Sequence, residues 1–155
     1  MFGMFRKPLP TADVKNALNK ELARFRKSLE TMETADTVRA YGEAARAMVI
    51  SYQKLERFEN NYDWRRGKYT WKGGIASKMP GIQAKITADE TKFVDRVFLR
   101  LKWDCAGLKT DAAKERRKAK VFEEFEAYSM FFEPSTLEYV NSHKDSGISF
   151  SYEVE

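Results

Sequence analysis

Apolar residues in the first half of the chain recur at alternating steps of three and four. Leu18, Leu22, Phe25, Leu29 and Met32, with Val14 one turn earlier, fall on one helical face. Lys15, Lys20, Glu21, Arg24, Lys27 and Glu30 fill the other faces, and Thr11 stands before the run as an N-cap. After a break at residues 33–36 the pattern resumes with Val38, Tyr41, Ala45, Met48, Tyr52 and Leu55, and Thr34 or Asp36 is the expected cap. A short link between two matched seams predicts an antiparallel helical hairpin. Gly42 lowers helix stability by about 1 kcal/mol relative to alanine. Its place inside the second helix therefore predicts a close contact with a neighbour.

The second half repeats the theme. Thr87-Ala88-Asp89-Glu90 has the form of a capping box, after a short transition at residues 82–86. Phe93, Val94, Val97, Phe98, Leu101, Cys105 and Leu108 then make a wide apolar arc, and Gly107 reads as its stop. Thr110 or Asp111 caps a further helix. Its first half, 114–120, is basic and polar, and its second half carries Val121, Phe122, Phe125, Tyr128, Phe131 and Phe132 up to Pro134. Residues 135–141 suit one or two helical turns. The expected helices are 12–32, 36–59, 88–106 and 111–132. The expected fold is a single all-α domain over 1–155: a first hairpin (11–59), a loop (60–86), a second hairpin (87–133) and a tail (134–155).

Two stretches break the helical period. In residues 60–81, Tyr62, Trp64, Tyr69 and Trp71 are interleaved with Arg65, Arg66, Lys68, Lys72 and Lys78, and Asp63 is the only acid. Gly67, Gly73, Gly74 and Gly81 free the backbone, and Pro80 argues against a continuing helix. Rings, cations and glycines on a long connection suit a contact surface. A protein interface and rings folded back over the chain's own helices are the preferred readings, ahead of single-stranded nucleic acid and lipid headgroups at a membrane surface. Trp64, Trp71, Arg65 and Arg66 are the expected centre of the contact.

The tail is the second stretch. Ile148, Phe150, Tyr152 and Val154 alternate with Ser149, Ser151 and Glu153, the period of a strand. A lone strand needs a partner for its amides. The edge of another protein's sheet is preferred to the 68–86 segment, where Gly73, Gly74 and Pro80 make a poor strand.

Composition bounds the function. The 155 residues, 43% hydrophobic and 33% charged, suit a folded chain with a real core. A net charge of +5 admits an anionic surface, nucleic acid or lipid, without choosing one. Cys105 is the only cysteine and falls on an apolar helical segment, which suits a buried thiol in an intracellular reducing compartment, mitochondrial or cytoplasmic. His143 is the only histidine, and one His with one Cys cannot close a zinc site. Gly67-Lys68 lacks the phosphate-loop pattern, because Tyr62 and Tyr69 occupy the glycine and hydroxyl positions. No apolar run is long enough to cross a membrane. No cofactor or metal is expected, and no nucleophile meets a base.

The expected function is that of a non-enzymatic structural or adaptor subunit of a larger multi-protein assembly. Small basic helical chains of this type serve as accessory subunits of mitochondrial membrane complexes and in virus particles. The alternative is a single-stranded RNA-binding protein that uses the basic-aromatic loop.

Overall fold

The computed structural model describes residues 6–64 and 74–145. The fold is all-α. Helices α1 (Ala12–Thr34), α2 (Val38–Asn61), α3 (Gly74–Ala106), α4 (Asp111–Ala127) and α5 (Pro134–Asp145) follow in order, with a single 3-10 turn at Ser129–Phe131 before the last. No strand occurs among the described residues.

Threonines start three of the helices. Thr11 Oγ1 accepts from the Val14 amide at 3.3 Å, Thr37 Oγ1 from Ala40 at 3.2 Å and Thr110 Oγ1 from Ala113 at 3.1 Å. The cap of α2 is thus Thr37, not Thr34 or Asp36. Thr34 ends α1 with its hydroxyl bonded back to Glu30 O, and the Asp36 carboxylate is held by Arg100 at 2.7 Å.

α1 and α2 form the first hairpin along the expected seams, with Leu18, Phe25, Val38, Tyr41, Ala45 and Leu55 all buried. α3 and α4 form the second. Glu21 departs from the expected outer face: it is buried, and its carboxylate pairs with Arg24 at 3.0 Å.

α3 corrects the largest expectation. Pro80 does not stop a helix; it lies inside one that runs from Gly74 to Ala106. Proline removes one backbone bond and crowds the preceding turn. The counterweight is a continuous apolar stripe. Ile75 is buried, and Met79, Ile82 and Ile86 pack against the core at steps of four, three and four, in register with Phe93 and Val97. The segment 82–86 is therefore helix, and the connection after α2 is much shorter than 60–86. Gly74 takes φ +62°, a left-handed value suited to glycine, and the Glu59 carboxylate accepts from the next amide, Ile75, at the helix start.

α4 ends at Ala127 rather than 132, and Pro134 opens a fifth helix, α5, instead of ending the fourth and starting a tail. Proline suits a first helical position, where its missing N–H would have no intrahelical partner. α5 runs twelve residues because Thr136 and Val140 bury against the core.

The core of the second hairpin is aromatic. Tyr41 stacks on Phe93 at 4.2 Å and on Phe132 at 5.1 Å, while Phe125 meets Phe93 at 6.2 Å and Phe98 at 6.1 Å. Gly42 lies beside this cluster. A Cβ built there would sit 2.2 Å from Tyr128 Cδ1, so the close contact expected from sequence is the ring of Tyr128. Gly42→Ala gains about 1 kcal/mol of helix propensity but must displace that ring. We expect a net loss of roughly 1–3 kcal/mol in urea unfolding, relieved when Tyr128→Ala is added. A stabilised single variant would refute the contact.

Candidate functional site

Three surfaces bring chemistry-bearing residues together. The first lies at the open end of the α1–α2 hairpin. Lys20 and Arg24 on α1 and Lys54 and Arg57 on α2 line a groove of about 450 Å³ with Phe58, Asn61 and Tyr62. Just beyond it the chain turns inward. Trp64 is only 6% exposed, its Nε1–H donates to Phe58 O at 2.7 Å, and Tyr62 meets its ring edge-on at 6.1 Å. The Asp63 amide donates to Pro8 O at 2.9 Å, which ties the segment before α1 to the same corner. Of the loop residues expected to make a contact, Tyr62 lines the groove and Trp64 packs within the chain. Arg65, Arg66, Lys68, Tyr69, Trp71 and Lys72 lie outside the described residues, as do Ile148, Phe150, Tyr152 and Val154 of the tail.

The second surface is a cleft of about 860 Å³ between the end of α1 and the first two-thirds of α3. Leu29 and Met32 come from α1, and Ile82, Ile86 and Phe93 from α3, with Tyr41 beneath. Lys78, Lys85, Lys92 and Arg96 stand on the α3 side together with the acid Asp89, and Glu33 faces them from α1. Lys85 Nζ reaches Glu33 across the cleft at 2.7 Å, and that hydrogen bond raises the lysine pKa. Arg96 closes one end: its Nε donates to Ala35 O at 3.0 Å and its Nη2 to Met32 O at 3.3 Å. These are carbonyls at the end of α1, where a cation is favoured.

The third surface is the outer face of α3. Leu99 and Trp103, one turn apart, are 56% and 59% exposed. Large apolar side chains at positions i and i+4 share one side of a helix. Neither was singled out from sequence, although both fall off the apolar arc of Phe93, Val94, Val97, Phe98, Leu101 and Cys105, on the opposite side of the helix.

Several ionisable groups beneath these surfaces are tied into the packing of the helices. Glu90 is 2% exposed and accepts from Thr136 Oγ1 at 2.6 Å and from the Glu133 amide at 3.2 Å. It is not the end of a capping box at a helix start, since Thr87 lies in mid-helix. It caps the start of α5 from another helix. Burial raises its pKa, partly opposed by those two hydrogen bonds. Burial also pushes the Cys105 thiol up, away from thiolate reactivity. The His143 ring stacks on Phe98 at 4.4 Å and meets Tyr139 edge-on at 4.7 Å. The Tyr139 hydroxyl donates to Asp95 at 2.6 Å, and this bond raises its pKa. Among the described residues no group of three or more His, Cys, Asp or Glu is placed to hold a metal, and no helix is long and apolar enough to cross a membrane. No protein-family model, curated protein or solved structure matches the chain.

Proposed function

We propose that this chain is a non-enzymatic adaptor, a helical subunit that joins other proteins in a larger assembly. The observation that carries the reading is the exposed pair Leu99 and Trp103 on α3. Tryptophan is over-represented among residues that dominate binding energy, and a half-exposed ring beside a leucine is costly to leave in water unless something covers it. Replacing both residues by serine should leave the stability of the isolated chain within about 0.5 kcal/mol, because surface substitutions change little. The same change should weaken incorporation into the native assembly by about 2 kcal/mol or more, read by quantitative co-purification. Unchanged incorporation would remove the basis of the proposal.

The second reading, single-stranded RNA binding, draws on a different place. Lys20, Arg24, Lys54 and Arg57 surround Phe58 and Tyr62 at the open end of the first hairpin. Cations on a backbone and rings under bases are the elements of such a site. A salt titration separates the two readings. A steep linear fall of log affinity with log salt, lessened in Lys54→Gln/Arg57→Gln, would favour RNA.

A further inference from the structure

Lysines line the α1–α3 cleft at heptad spacing. Lys78, Lys85 and Lys92 are seven residues apart on one helix. Side chains repeating at that interval form a line along a helix, here roughly 21 Å long at 1.5 Å per residue. The line runs beside an apolar floor. Phe93 and Met32 at its base are buried, while Leu29, Ile82 and Ile86 remain partly open to solvent. An apolar floor flanked by one charge per heptad is how a helical surface presents itself to a second helix in a coiled coil.

We propose that this cleft receives one amphipathic α-helix of a partner protein. The apolar stripe of that helix lies on Leu29, Met32, Ile82, Ile86 and Phe93. Its acidic residues, one per heptad, pair with Lys78, Lys85 and Lys92. The inference deepens the adaptor reading and rests on it.

Charge complementarity selects an acidic helix over a neutral or basic one. The lining carries four cations and two acids. Arg96 is engaged with the carbonyls at the end of α1, so the lysines supply the charge along the mouth. Lys85 pairs with Glu33 at 2.7 Å and Lys92 with Asp89 at 3.8 Å within the chain itself. Both lysines are well exposed, and exposed pairs of this kind contribute little to stability. Exchanging Glu33 or Asp89 for a partner carboxylate is therefore inexpensive. A carboxylate entering at Lys85 takes the position of Glu33 and opens the bridge that now spans the cleft.

The test uses the full chain and a displayed library of helical peptides three heptads long. The peptides carry leucine at the a and d positions and all residues at e and g. Selection should enrich Asp or Glu at one flanking position per heptad. Enriched peptides should bind Lys78→Glu/Lys85→Glu/Lys92→Glu at least about tenfold more weakly. They should protect Ile82 and Ile86 from deuterium exchange. If the charge-reversed chain is poorly folded, Lys78→Gln/Lys85→Gln/Lys92→Gln replaces it, with a smaller loss of the same sign. Selection without acid enrichment, or acid enrichment that persists against the substituted chain, would overturn the proposal. So would binding of single-stranded RNA or of phosphatidylserine vesicles through the same three lysines when no peptide is selected. Failure here together with loss of assembly in Leu99→Ser/Trp103→Ser would reject the cleft and leave the adaptor reading standing.

Discussion

Trp64→Ala should lower the stability of the isolated chain by about 3–5 kcal/mol, the range for removing a large buried ring. The side chain is 6% exposed and belongs to the same buried cluster as Leu55 and Ile75. Its indole N–H also supplies a donor to Phe58 O, one of the last carbonyls of α2, which have no partner within their own helix. Both contributions vanish with alanine. Trp64→Phe separates them: most of the ring remains, and the expected loss falls by the apolar share, leaving about 1 kcal/mol for the hydrogen bond plus a smaller packing term. Urea unfolding of both variants measures the two steps. An unchanged midpoint in Trp64→Ala would mean that the ring contributes nothing to this core and would return it to the set of contact residues.

Glu90→Ala should cost almost as much. It removes the acceptor shared by the buried Thr136 hydroxyl and the part-buried Glu133 amide, and a buried donor left without a partner costs about 1–3 kcal/mol. The loss should concentrate in α5, seen as faster hydrogen exchange across 136–143 than across α1. Glu90→Gln adds a pH signature. Because burial raises the carboxyl pKa in the folded chain, the folded state binds the proton more tightly than the unfolded state does. That contribution is complete below the unfolded carboxylate pKa, near 4.3 in model peptides, and fades as pH rises through the folded value. The melting temperature of the parent chain minus that of Glu90→Gln should therefore be most favourable to the parent at the acid end and decline toward neutral pH. A difference that grows with pH would show that the two hydrogen bonds outweigh burial and that the shift has the opposite sign.

How the sequence expressed the fold depends on which residues carried the signal. The threonine caps at 11 and 110, the alternating seams of α1 and α2 and the glycine at 42 are local features, and each has one physical meaning wherever the helix packs. Pro80 and Gly81 misled because proline's cost is local while its compensation is not. Ile75, Met79, Ile82 and Ile86 continue the stripe of α3, but their value appears only once the rest of the core lies beneath them. Glu90 misled for the same reason. Thr-x-x-Glu describes a capping box and equally a buried acid three residues after a surface threonine, and the acid's partners lie more than forty residues away. The candidate sites follow this division. The cations at 20, 24, 54 and 57 converge only through the hairpin, whereas Leu99 and Trp103 were legible as the apolar residues that fall off the arc of α3. The heptad of Lys78, Lys85 and Lys92 was written in the sequence, but reading residues 60–81 as loop divided it.

The hold that Arg96 and Arg100 take on the turn between α1 and α2 decides where foreign sequence can be grafted into this chain. By length alone the turn at 35–37 resembles a permissive hairpin tip. Yet Ala35 is buried and its carbonyl receives Arg96, with the exposed pair of Arg100 and Asp36 beside it, so an insertion there would disturb the seat of α3 on the first hairpin. The link at 107–109 is different. It is fastened to α3 by two backbone bonds, Gly107 to Asp104 at 3.3 Å and Leu108 to Cys105 at 3.0 Å, and Gly107 and Lys109 face solvent. A fluorescent reporter or epitope placed after Lys109 lengthens a connection whose closure entropy grows only slowly with added residues, and it leaves the Thr110 cap free to start α4.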